Sequence, residues 1–157
     1  PVSTTTTRST LFNINMEHTR AHLLRAVYEG IAYNLRWIME NYEKDYGFDC
    51  NNFRIIGGGA LNDPWMEIIA DITGKSFSVP KDPRNSGAVG AAVVALIGLG
   101  ELSGFEAVKE FVAVDKHYAP NPENKKIYDE LFQDYKNVYN SLKGAYDKAN
   151  GKRFQGA

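Results

Sequence analysis

The chain has 157 residues, 43% hydrophobic and 24% charged, with a formal net charge of -1. Such a length and apolar fraction suit one domain of ordinary size with a proper core. The charge balance argues against nucleic acid or an anionic membrane as partner. A lone cysteine, Cys50, excludes an internal disulfide and fits a reducing, cytoplasmic compartment. The longest apolar run, residues 87–100, is too short for a membrane span, which takes about 20 residues. The chain opens on a threonine-rich stretch with no core pattern behind it, and is expected to be a piece of something longer.

In chain order, residues 1–16 read as an extended, solvated leader followed by a short edge strand, Leu11-Phe12-Asn13-Ile14. A helix is expected from about Glu17 to Glu43, with Leu24, Val27, Ile31, Leu35 and Ile38 on one apolar stripe. Gly30 inside it costs about 1 kcal/mol against alanine, which close packing on a neighbour would explain. Arg25 and Glu29 stand four apart, the spacing of an intrahelical ion pair worth about 0.2–0.5 kcal/mol. Residues 47–52 form a loop and Phe53 to Ile56 a short buried strand.

Gly57-Gly58-Gly59 follows, then a helix start with Asp63 as N-cap and Pro64 as first helical residue. Trp65, Ile68, Ile69 and Ile72 give that helix its core face, and Gly74 stops it. Ser76 to Val79 alternates as a strand and Pro80 ends it. After a loop over 81–86 come a small-residue helix over 87–99 and a short helix over 105–112. Asn121-Pro122 caps a final helix to about Ala149, with Ile127, Leu131, Tyr135, Val138 and Leu142 as its apolar stripe. Its tyrosines (Tyr128, Tyr135, Tyr139 and Tyr146) read as a half-buried face rather than a base-stacking one. The main domain is thus expected over 17–149 with a tail over 150–157, and no internal repeat is present.

The glycine turn is the most informative stretch. Glycine takes positive φ and lets a ligand touch the backbone, and in open α/β folds ligands gather at the carboxyl ends of strands. The N–H groups of such a turn attract anions. It is not a P-loop, because Ala60 and Leu61 follow where a lysine and a hydroxyl are needed, and it lacks the third spaced glycine of the dinucleotide fingerprint. Asp63 and Glu67 stabilise the helix start but repel a phosphate chain, so the turn suits an adenosine or a single phosphate better than a triphosphate. A tight connection with no ligand is equally compatible. The second small-residue element, Gly87 to Ala92, reads as a helix that lets a neighbour approach closely.

Other constellations read as structural. His18 and His22 have metal-ligand spacing, but no H-E-x-x-H pattern and no third ligand accompany them. Cys50 lies in a polar loop without a basic neighbour to favour its thiolate.

Four stretches together resemble the C-terminal part of the FGGY family of carbohydrate kinases, and within it the xylulose kinases. His18 to Ala32 is similar to the family's "RAxxEGIA" helix. Gly57 to Trp65 with Ala70-Asp71 is similar to its "GGGAxxxxW…AD" segment, Ser86 to Ala92 to its "xxAxGAA" helix, and Tyr118 to Pro122 with the following tyrosine-rich helix to the xylulose-kinase tail. The resemblance covers residues 11 to about 145. It implies an α/β, actin-like ATPase domain of the ribonuclease-H type, here its helix-rich C-terminal part with a small mixed sheet. It also implies ATP with Mg2+ as cofactors, a sugar as substrate, and a partner N-terminal kinase domain. Gly58 and Gly59 would line the adenosine and α-phosphate, and Asn62 or Asp63 would meet the nucleotide. The family's two phosphate motifs and its catalytic aspartate are not in this chain, so no catalytic residue is expected here and the chain alone is expected to be inactive. An exposed sheet edge would favour self-association, and a homodimer is compatible with it.

Overall fold

The structure, a computed structural model, describes residues 4–47 and 49–151. They divide into two units, one drawn from Pro1–Phe48 and Glu123–Ala157, the other Asp49–Pro122. No helix among the described residues is long and apolar enough to cross a membrane.

The first unit is built on a helix pair, α1 (Arg20–Tyr46) with α5 (Lys125–Asn150), whose contacts advance together from Arg25–Tyr128 to Trp37–Tyr139, so the two helices run in the same direction. Gly47, at φ 62°, ends α1 in the left-handed conformation that a residue without Cβ adopts freely, one turn beyond the expected end. The helices meet through an aromatic seam. Tyr33 stacks on Phe132, with ring centroids 6.1 Å apart, and touches the rings of Tyr128 and Tyr135. Trp37 meets Tyr135 and Tyr139 edge-on. The half-buried tyrosine face of α5 is therefore present. The apolar stripes are another matter: Leu24, Val27, Ile31 and Ile38 of α1 and Ile127 and Leu131 of α5 are exposed, whereas Ala32, Tyr33, Tyr128 and Phe132 are buried. Large aromatic rings bury more apolar area per residue than aliphatics do, and polar ties reinforce that choice of face. Arg36 Nη2 donates to Asp129 Oδ1 at 2.7 Å.

Residues 4–10 of the leader are tied to α5 rather than free in solvent. Thr6 Oγ1 donates to Asp147 Oδ1 (2.6 Å), Asn150 Nδ2 donates to the Thr6 carbonyl (2.9 Å), and Thr10 and Tyr146 share a hydroxyl contact. The bond to the Thr6 carbonyl gives a partner to the side-chain amide of Asn150, the buried polar residue of the last helical turn. Residues 11–14 form no strand, and Asn13 sits at φ 59°, outside extended backbone.

The second unit carries a mixed three-stranded sheet in the order β1 (Asn52–Arg54), β2 (Ser76–Pro80), β3 (Val114–Tyr118). β1 and β2 run parallel, and their connection passes through α2 (Asp63–Thr73), as a parallel pair requires. Phe53 and Phe77 are in register and their rings stack at 5.7 Å. β2 is central and alternates, with Phe77 and Val79 buried together with Ile68, Ile69 and Ile72 of α2. β3 pairs antiparallel with β2 and breaks register between Val79 and Pro80, where proline offers no N–H to the ladder. The helix α2 ends at Gly74, φ 67°, as expected. Asp71 on α2 accepts the Asn121 N–H at 2.7 Å and ties down the segment that leaves β3.

The last strand was not expected from the residues, because Asp115, Lys116 and His117 interrupt any apolar alternation. α3 (Ser86–Gly98) and the short α4 (Val108–Phe111) form where small and apolar residues predict helix. Yet Gly87, Ala88, Gly90, Ala91 and Ala92 are exposed and only Val93 is buried. A Cβ on Gly30, Gly87 or Gly90 would meet nothing within 4 Å, so the close neighbours expected at those glycines are not supplied by the described residues.

Candidate functional site

The three glycines leave the carboxyl end of β1 and enter a 3₁₀ turn over Gly58–Leu61 that runs straight into α2. Gly57 starts the turn at φ 96°, ψ 173°, a region essentially reserved for glycine. Its N–H donates to the Pro83 carbonyl at 2.7 Å, which docks the loop before α3 onto the turn. The turn closes on itself through Ala60 N–H to Gly57 O (3.2 Å) and Asn62 N–H to Gly59 O (3.1 Å). Ala60 is buried as the turn's anchor, while Gly58 and Gly59 are exposed.

Gly58, Gly59, Asn62 and Asp63 are thus brought into one exposed strand-to-helix connection. The two glycines differ in what they face. A Cβ on Gly59 would lie 2.3 Å from Cζ3 of Trp65, so that side of the turn is filled by the indole. A Cβ on Gly58 would meet nothing closer than Arg84 Nε at 4.0 Å, so that side is open.

The N-cap of α2 is Asn62 and not Asp63. Asn62 Oδ1 accepts the Trp65 N–H at 3.1 Å, and Asp63 and Pro64 follow as the first two helical residues. An amide oxygen caps as well as a carboxylate, and Asp63 has other partners. Its Oδ1 accepts from Lys116 Nζ and from the Tyr118 hydroxyl, each at 2.7 Å, both on β3. The Lys116 ammonium, helped by Tyr118, holds the Asp63 carboxyl below the usual carboxylate range, and Asp63 in turn raises Lys116. Burial first, then the Asp63 bond, push Tyr118 up to about 12. A carboxylate with a lowered folded pKa contributes stability above its unfolded pKa and loses it as acid takes pH down through the folded value. A raised lysine loses its contribution as pH climbs through its folded pKa. The clamp is therefore intact across neutral pH. No local pattern marks Lys116 or Arg84 as a site residue, and Tyr118 is legible only as part of the tail motif, because two of the three sit on the unforeseen strand and the third in a loop.

Asn62→Ala is expected to lower stability by about 1 kcal/mol, as cap removal does, seen as a drop in the chemical-denaturation midpoint. Asn62→Asp, which keeps the acceptor, should stay near wild type.

The remaining candidates are placed elsewhere. Arg25 Nε donates to Glu29 Oε1 at 2.7 Å, the intrahelical pair expected, and both also bond the Tyr128 hydroxyl. His18 and His22 each turn Nδ1 to a backbone N–H, of Asn15 and Thr19 respectively. Cys50 Sγ donates to the Asn52 carbonyl. Among the described residues no group of three or more His, Cys, Asp or Glu is placed to hold a metal ion.

Residues 1–99, well over half of the chain, match the C-terminal domain of the FGGY family of carbohydrate kinases. This chain belongs to that family. The FGGY chain is 33% identical over 137 residues to a xylulose kinase of Staphylococcus epidermidis, covering 87% of itself and 27% of that protein. It is 28% identical to a gluconokinase of Bacillus licheniformis, over 90% of the chain and 28% of the relative. Among solved structures, it superposes on the xylulose kinase of Rhodospirillum rubrum with a TM-score of 0.76 and 32% identity, across 87% of the chain and 28% of that one. The FGGY chain thus spans about a quarter of the length of these relatives. Its helix-rich α/β architecture with a small mixed sheet matches their C-terminal part.

Proposed function

We propose that this FGGY chain is the ATP-binding part of a sugar kinase that transfers the γ-phosphoryl of ATP to a sugar hydroxyl, with D-xylulose the first candidate and xylulose 5-phosphate the product. The observation that carries the reading is the exposed glycine turn at the carboxyl end of β1, open at Gly58 and backed by the start of α2. Its bare backbone offers N–H groups and a flat face to an adenosine and its α-phosphate. Of the two residues that follow, Asn62 is the better nucleotide contact, because the Asp63 carboxylate is anionic and held by Lys116 and Tyr118. Mg2+ accompanying ATP takes one or two carboxylates besides phosphate oxygens. Asp63, the carboxylate adjoining the turn, is held by Lys116 and Tyr118 and does not fit that role.

In phosphoryl transfer the protein mainly positions and neutralises the reacting groups, and closure around the substrates excludes water. This chain would hold the nucleotide; the groups that bind the sugar and take its hydroxyl proton are expected outside it. Relatives with xylulose and gluconate specificity support the kinase class, and polyols such as glycerol and ketoses such as ribulose are the alternative acceptors. The test is ADP release from Mg-ATP by the full-length protein against ketoses, polyols and aldonates, with this chain alone as control. Turnover with xylulose only, and none from the chain alone, is the expected result. Tight ATP binding without turnover on any sugar would replace the kinase reading with a non-catalytic, actin-like nucleotide module.

A further inference from the structure

We propose that Arg84 is a phosphate-contacting residue of the nucleotide site, made effective by the clamp that Lys116 and Tyr118 place on Asp63. The inference rests on the nucleotide reading of the glycine turn and adds to it the source of positive charge.

Arg84 is held beside the turn by backbone. The carbonyl of Pro83, its neighbour, accepts the Gly57 N–H at 2.7 Å. The loop is braced from within: Asn85 Nδ2 donates to Asp82 Oδ2 at 2.7 Å, and Ser86 Oγ donates to the Asp82 carbonyl at 3.1 Å. The Arg84 Nε consequently lies 4.0 Å from where a Gly58 Cβ would be, on the open side of the turn. Its side chain is exposed and makes no hydrogen bond or ion pair with the described residues. The planar guanidinium can therefore give its donors to phosphate oxygens, to which its fork geometry is suited.

Charge balance supplies the second half. Asp63 and Glu67 at the start of α2 would by themselves make the mouth of the turn repel phosphate. Lys116 bonded to Asp63 cancels one of them, and Arg84 adds a cation on the open side of Gly58. With both cations present the approach to the turn repels phosphate less, which widens the range of nucleotides it can accept from adenosine to its phosphates.

Calorimetric titration of the full-length protein with ATP, ADP and adenosine tests this. Arg84→Gln is expected to weaken ATP and ADP about tenfold while leaving adenosine within about twofold, with a flatter dependence on ionic strength than wild type. Arg84→Lys, which keeps the charge and loses the fork, should recover part of the affinity. ATP affinity within about twofold of wild type in Arg84→Gln, or an equal weakening of adenosine, would overturn the role given to Arg84. If the wild-type protein bound neither ATP nor adenosine, the nucleotide reading of the turn would itself fall, and the role of Arg84 with it.

Discussion

Gly59→Ala is expected to destabilise the sheet unit by about 1–3 kcal/mol, the range for forcing extra volume into a packed site, and to weaken nucleotide binding with it. A Cβ there would lie 2.3 Å from Trp65 Cζ3, closer than carbon atoms approach, and two further ring atoms stand at 3.2 and 3.3 Å. Neither partner yields cheaply. The indole is rigid and half-buried on α2, and the turn is tied at Gly57, Ala60 and Asn62. Because Gly59 does not have positive φ, the effect isolates the steric clash from backbone strain. Trp65→Phe in the Gly59→Ala background should recover part of the loss by shortening the ring. The measurement is the chemical-denaturation midpoint of single and double variants. Additive losses without recovery would show that Gly59 is not constrained by the Trp65 ring.

Phe132→Ala should cost the helix pair about 3–5 kcal/mol, the range for emptying a buried aromatic site. Phe132 is fully buried, stacked on Tyr33, and capped on its faces by cations: the Arg36 guanidinium stands 4.4 Å and Lys136 Nζ 4.2 Å from its centroid. Each such cation adds about 0.5–1 kcal/mol where partly exposed, so the truncation removes more than apolar area. Phe132→Leu keeps most of the volume and should lose clearly less. Because two units share the chain, a midpoint reports the loss but does not assign it to one of them. Hydrogen exchange at α1 and α5 amides should speed up in Phe132→Ala while the β1–β2 amides of the sheet unit stay protected. Unchanged protection in both helices would show that the aromatic seam does not hold them.

Both variants touch residues whose importance has a short-range and a long-range part. The glycine turn, the stop of α2 at Gly74 and the Arg25–Glu29 pair are legible in the residues because each depends on neighbours within a turn of chain. The N-cap was misplaced by one residue because Asn62 and Asp63 are both good caps, and only the pull of Lys116 and Tyr118 on Asp63 separates them. β3 was invisible because an edge strand with half-buried ends and polar middle residues has no periodic signature.

The buried faces of α1 and α5 show the same limit. Aliphatic residues at Leu24, Val27, Ile31 and Ile38 have faultless helical spacing, yet they are exposed while Tyr33 is buried. Spacing reports that an apolar face exists and not what covers it. The FGGY chain spans only about a quarter of its relatives' length.

By itself, the sequence determined the helices and their stops, the position of the bare turn between a strand and a helix, and the family through four motifs in order. Each of these is written in residues close together along the chain, where propensity, capping and glycine's missing Cβ act locally. The tertiary structure decided which helix faces meet, how the third strand pairs, why Gly59 must be bare, and that Asp63 is turned to β3 while Arg84 is left beside the open side of Gly58. Those outcomes come from groups tens of residues apart competing for the same partners, and no local pattern records which of them wins.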